Sequence, residues 1–155
     1  MIKSTQIIHS PILLFDEVVP QPRPRFSRAT GRVYMPKQYK KWILDTTIIM
    51  RRQWALAPLT GPTEARIVFV VERPKSRTRK NNKNQRIPKD TKPDLDNMVK
   101  SIMDALQISC ILKNDSCVYR LTTEKWYGKE GEGHQTTIFL SSHTKAAWLA
   151  DQAAK

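Results

Sequence analysis

The 155-residue chain is predicted to fold as an α/β protein, a mixed β-sheet with helices packed on it. Three observations predict this. Strand-like and helix-like stretches follow in the order strand, helix, strand, helix, strand, strand. Ile67–Val71 is a continuous apolar run, as expected of a central strand covered on both faces. Leu95, Met98, Val99, Ile102 and Leu106 fall at helical spacing and make one apolar stripe. At this length, with 39% hydrophobic residues, residues 1–155 are expected to form one domain with a modest core.

Pro11–Val19 is rich in β-branched and aromatic residues and reads as the first strand. Gln21–Lys41 carries seven lysines and arginines. Prolines at 20, 22 and 24 forbid regular helix there, and Thr30-Gly31 marks a turn. A proline-stiffened basic loop loses little entropy when it orders against a ligand. Phe26 and Tyr34 in it either stack on exposed bases or pin the loop to the core, and pinning is the expectation. Lys37–Trp54 is a helix, with Tyr39, Trp42, Ile43, Thr46, Ile49 and Met50 on one face. Pro58-Leu59-Thr60-Gly61-Pro62 ends it, and Glu64–Glu72 is the central strand. Residues 73–92 hold nine lysines and arginines against one acid, Asp90, and form a basic loop expected to be mobile. The acidic helix at 94–106 follows, then strands at Cys117–Tyr127 and His134–Ser141. Gly128–Gly133 reads as a hairpin connection between them, and Thr144–Ala154 as a short terminal helix.

The net charge of +13 and pI near 10 point to a polyanionic partner. Nucleic acid is favoured over membrane, since no apolar run is long enough to span a bilayer. No signal core is visible at Met1–Ser10, so an intracellular, cytoplasmic location is expected. Cys110 and Cys117 are too few for a disulfide framework, and His9, His134 and His143 lack zinc-finger spacing. Two reduced thiols near a loop are expected.

Against this basic background the acids of Lys92-Pro93-Asp94-Leu95-Asp96-Asn97-Met98-Val99-Lys100 stand out. Inside a helix Asp94 and Asp96 would lie roughly 200° apart. They converge only if Asp94 sits at the helix entrance in non-helical geometry, which Pro93 and the N-cap preference of Asp favour. Asp115, in the turn Lys113-Asn114-Asp115-Ser116, is the third acid. Carboxylates packed together resist joint ionisation, and a divalent cation removes that penalty. Magnesium takes one or two carboxylates plus a phosphate oxygen and water, activating that water for attack on phosphorus. Lys100, one turn after Asp96, can hold a phosphate; its plainer role is an ion pair with Asp96 or Asp104. Arg23, Arg25, Arg28, Arg77, Arg79 and Lys80 are the candidate DNA contacts.

Lys-Pro-Asp-Leu-Asp-Asn-x-x-Lys, then Asp104-Ala105-Leu106, then the acid-containing turn before Val118, resembles the RusA family of Holliday junction resolvases. So does the opening Pro20-Gln21-Pro22-Arg23-Pro24-Arg25-Phe26. The resemblance covers roughly residues 15 to 140, most specifically 92 to 118, and implies a single RusA-like domain. It implies that Asp94, Asp96 and Asp115 are the catalytic metal-binding aspartates and Lys100 the functional lysine. Asp104 also lies in the pattern, held here as a supporting or structural acid. The cofactor implied is Mg2+, with Mn2+ as a substitute, and the partners are branched DNA, four-way junctions and a second copy of the chain. Paired nicks on two-fold-related strands agree with a homodimer. One departure is Asn114, where many relatives carry another aspartate.

Two functions from different classes follow. One is a magnesium-dependent endonuclease that resolves four-way junctions in recombination and repair. The other is a non-catalytic module that grips branched or single-stranded nucleic acid. Positive charge serves both; clustered acids weaken phosphate binding unless a metal occupies them, and favour the enzyme. No RNP-like or KH-like motif supports an RNA-binding protein.

Overall fold

The computed structural model describes residues 6–8, 11–143 and Ala153. In chain order the elements are β1 (Gln6–Ile8), β2 (Ile12–Leu14), β3 (Arg25–Ser27), β4 (Arg32–Tyr34), α1 (Lys37–Gln53), β5 (Thr63–Val71), β6 (Ile87–Pro88), α2 (Leu95–Ile108), β7 (Val118–Tyr127) and β8 (Gln135–His143). The main sheet has the order β1-β8-β5-β7-β6, with β2 also paired to β8. It is mixed: β5 runs parallel to β7 and antiparallel to β8. The fold is therefore α/β with helices on a mixed sheet, and α2 is the crossover that parallel β5 and β7 require. The terminal helix expected at Thr144–Ala154 lies outside the described residues, Ala153 excepted.

Alternation along β5 builds the core. Ala65, Ile67 and Phe69 are buried against Met98, Ile102, Ala105 and Leu106 of α2 and Met50 of α1. The α2 stripe is buried as its spacing predicts, Leu95 only partly. Full burial of a side chain such as Ile102 contributes about 1.5–3 kcal/mol. The helix ends where Cys110 adopts a left-handed conformation (φ 58°) and the Ile111 and Leu112 N–H groups both return to the Leu106 carbonyl.

Four expectations are corrected. The β5 strand is central but not covered on both faces: Arg66 is exposed on the face away from the helices, beside Phe139 and Glu124. The last two strands form no hairpin. Both pair with β5, the most apolar strand, which takes the seat between them, and residues 128–133 pass its end, where Gly128 N–H bonds the Val71 carbonyl. The strand expected over Pro11–Val19 shrinks to Ile12–Leu14, ending well before Pro20. Within Gln21–Lys41 a separate two-stranded ribbon, β3–β4, closes through Gly31 (φ 64°), and Phe26 is not pinned to the core but 63% exposed.

The basic loop at 73–92 has its own internal fastenings. The buried Arg73 guanidinium donates to the Asn82 and Gln85 carbonyls, and β6 pairs with the end of β7. No helix among the described residues is long and apolar enough to cross a membrane. Both cysteines are free.

Candidate active site

Asp94 occupies the N-cap of α2 in extended geometry (φ −69°, ψ 138°), and its carboxylate makes no capping hydrogen bond. It thus meets the condition for sharing a direction with Asp96, and its oxygens are left for other partners. Asp96 is exposed on the first turn, with Lys100 Nζ 3.4 Å away. With 67% and 56% of these side chains exposed, the ion pair adds little stability, so neither group is committed to it.

Asp115 opens a 3-10 turn, Asp115–Cys117, beyond the far end of α2. Asn114 caps that turn, its side-chain oxygen accepting from Ser116 N–H at 2.9 Å; the residue that replaces an acid here has a backbone role. A 14-residue helix rises about 20 Å, so Asp115 and Asp94 stand at opposite ends of the crossover. Among the described residues no three His, Cys, Asp or Glu side chains group closely enough to hold one ion. The expected convergence of three acids within one chain is not what the fold provides. The reason is topological: α2 runs back along β7, placing Asp94 beside the end of β7 and Asp115 before its start.

Two lysines that sequence reasoning passed over fix the approach to Asp94. Lys125 Nζ donates to the carbonyls of Thr91 (2.8 Å) and Pro93 (2.6 Å). Lys89 is buried and donates to Thr91 Oγ1 and the Lys92 carbonyl, both at 2.6 Å, and to the Tyr127 hydroxyl at 3.2 Å. Burial, and then the neighbouring Lys89 charge, push the Lys125 pKa down, against the opposing pull of Asp94. A signal was present: period-two alternation places Lys125 on the same face of β7 as buried Tyr127. Lys125→Met frees two carbonyls at the base of Asp94. If Asp94 holds a divalent cation as the resemblance implies, this variant is expected to lower cleavage at limiting magnesium by about 10–100-fold, the usual cost of losing a residue that orients a ligand. A steady-state rate at limiting magnesium equal to wild type would remove Lys125 from the site.

Asp104, three turns into α2, is structural. Its Oδ2 accepts from Gln21 Nε2 (2.7 Å) and from the Tyr39 hydroxyl (3.0 Å), joining α2, α1 and the proline-rich segment. Gln21 N–H also bonds the Asn97 carbonyl, and Ser101 Oγ donates to the Val19 carbonyl at 2.7 Å. Burial, then the hydrogen bond to Asp104 and its charge, raise the Tyr39 pKa to about 12. The folded state therefore holds this proton after the unfolded chain, titrating near 10, has lost it. The resulting stabilisation is complete below pH 10 and is lost as pH rises towards 12. Denaturant titrations between pH 9 and 12 should show this decline in wild type and a shallower one in Tyr39→Phe; equal slopes would contradict it.

Arg23, Arg25, Arg28, Arg79 and Lys80 are all exposed. Arg77 is exposed too, but pairs with Asp90 at 3.6 Å and lies over the Tyr127 ring at 5.9 Å. The oxygen-only donors Asp94 and Asp96 fit a hard divalent cation that keeps several waters and takes two carboxylates. Asp115, in the turn beyond the other end of α2, is not grouped with them among the described residues.

A Bacillus subtilis (strain 168) protein described as uncharacterized protein YqaN is 32% identical over 124 residues, covering 76% of this chain and 87% of its own length. The family model described as endodeoxyribonuclease RusA matches residues 17–138, from the segment that Asp104 fastens, through the Asp94–Lys100 turn and Asp115, into β8. With most of its length matched, this chain belongs to the RusA endodeoxyribonuclease family.

Proposed function

We propose that this protein is a divalent-cation-dependent endonuclease that resolves four-way DNA junctions by paired nicks, acting as a homodimer. The observation that carries the reading is the pair Asp94 and Asp96. They are exposed and free of capping bonds at the entrance of α2, in a chain of net charge +13 that belongs to an endodeoxyribonuclease family. Acids in such a setting repel a phosphate backbone unless a cation stands between them.

In each site Asp94 and Asp96 hold the cation, with Mg2+ the natural fit and Mn2+ a substitute, and Asp115 of a second copy completes the donor set. The cation supplies Lewis-acid activation and offsets charge that builds on the leaving oxygen. Lys100, one turn along the helix from Asp96, faces the phosphate and exchanges its weak ion pair for it. Lys89 and Lys125 keep the turn before Asp94 in one conformation. Arg23, Arg25, Arg28, Arg77, Arg79 and Lys80 grip flanking phosphates, and this part of binding weakens with salt. A two-fold dimer presents two such sites to strands related by the same symmetry.

The test is incubation of the purified protein with an end-labelled four-way junction, with and without magnesium. Paired nicks across the branch point, only with magnesium and with linear duplex left largely intact, are expected. Binding without any cutting would support the non-catalytic module instead, and equal cutting of linear duplex would remove the junction preference.

A further inference from the structure

The β3–β4 ribbon stands apart from the main sheet, and among the described residues its two strands pair only with each other. In its register Phe26 lies opposite Val33, on one face; Arg25 with Tyr34, and Ser27 with Arg32, share the other. Phe26 is 63% and Val33 68% exposed, so the apolar face meets neither helix nor sheet. A two-stranded ribbon of this size has little stability of its own, and two large apolar side chains held in water invite a ligand with a flat apolar surface.

The charge around it says which ligand. No acid occurs between Glu17 and Asp45, while Arg23, Arg25, Arg28 and Arg32 lie on or beside the ribbon. None of the four makes an ion pair with another described residue. Such a surface repels a basic second copy and suits a polyanion with exposed ring faces. Its position adds a third point. Arg25 at the ribbon's root lines a groove of about 500 Å3 together with Pro22, Pro36, Tyr39 and Pro93, and Pro93 immediately precedes Asp94. The ribbon is rooted beside the candidate cation site, on the segment stitched to α2 through Gln21.

We infer that the β3–β4 ribbon is a wedge that enters the open centre of branched DNA. Phe26 and Val33 take the face of an unstacked base, while Arg25, Arg28 and Arg32 lie along the phosphates. The inference rests on the reading of the protein as a junction endonuclease and names how that site recognises a branch rather than a duplex. Continuous duplex offers the ribbon no unstacked base, whereas a branch point does, and only there do the apolar pair and the arginines engage together.

The experiment uses the full chain without metal, a four-way junction carrying 2-aminopurine at a branch-point base, and a linear duplex of the same sequence. Wild type is expected to raise the 2-aminopurine fluorescence on binding the junction. Phe26→Ala/Val33→Ala is expected to bind duplex as wild type does, to bind the junction about tenfold or more weakly, and to leave the fluorescence low. Phe26→Trp should keep the signal. A double variant that raises fluorescence like wild type, or that loses duplex and junction affinity equally, would overturn the wedge. If wild type nicks junctions in magnesium without any fluorescence rise, the wedge falls and the endonuclease stands. If the signal appears and no cutting follows in magnesium, the wedge stands and the endonuclease falls.

Discussion

Asp96→Asn is expected to lower junction cleavage on the order of 100-fold or more, beyond the range seen when residues that merely support a ligand are lost. The substitution keeps the side chain's shape on an exposed first turn, so the buried face of α2 is untouched. It removes a single negative charge, which in the proposed site holds the cation and, without metal, repels the phosphate backbone. Junction affinity measured without metal should therefore hold or tighten while cleavage disappears. Asp94→Asn should behave alike. Near-normal cleavage by folded Asp96→Asn protein, with its thermal unfolding unchanged, would dismantle the site assignment.

Mixing two dead variants is expected to restore activity. Because Asp115 stands a helix length from Asp94, a site completed across two copies takes Asp94 and Asp96 from one and Asp115 from the other. In a heterodimer of Asp96→Asn with Asp115→Asn, one site then carries both defects and the other carries none. Each variant alone should be inactive, and subunit exchange between them should recover single nicks, with few paired cuts. If all three acids served within one chain, both sites of the heterodimer would be damaged and no activity would return. Gel analysis of nicked against resolved junction separates these results.

The parts of the fold legible in the sequence are those fixed by local periodicity. Helix α1 begins at the expected Lys37, and the α2 stripe of Met98, Val99, Ile102 and Leu106 is buried as its spacing requires. The turn at Thr30-Gly31 was legible for the same reason. Strand order was not, because pairing between distant segments leaves no local trace: nothing in Gly128–Gly133 says that β5 will separate β7 from β8. The exposed Phe26 was misread because an aromatic residue among prolines satisfies an anchoring pattern as readily as a presenting one. At the site, Asp94, Asp96 and Lys100 could be named from the motif. Their distance from Asp115 could not, since it depends on α2 running back along β7. Lys89 and Lys125 were hidden in plain charge; a lysine donating to backbone carbonyls looks, in sequence, like any solvated cation.

The seat of β5 between β7 and β8 also governs how the chain must fold. Among the described residues Thr63 pairs with Val118 and Ser142, and the strand with the most apolar face is flanked on both sides by segments synthesised after it. Until those arrive, Ile67, Phe69 and Val70 form a bare apolar template in the nascent chain. Pairing this remote in sequence is slow to nucleate, because loop closure precedes any reward from contact. Refolding should accordingly be slow for a protein of this size and prone to aggregation at high concentration, and chains cut short before β8 should gather into insoluble material rather than persist as folded intermediates.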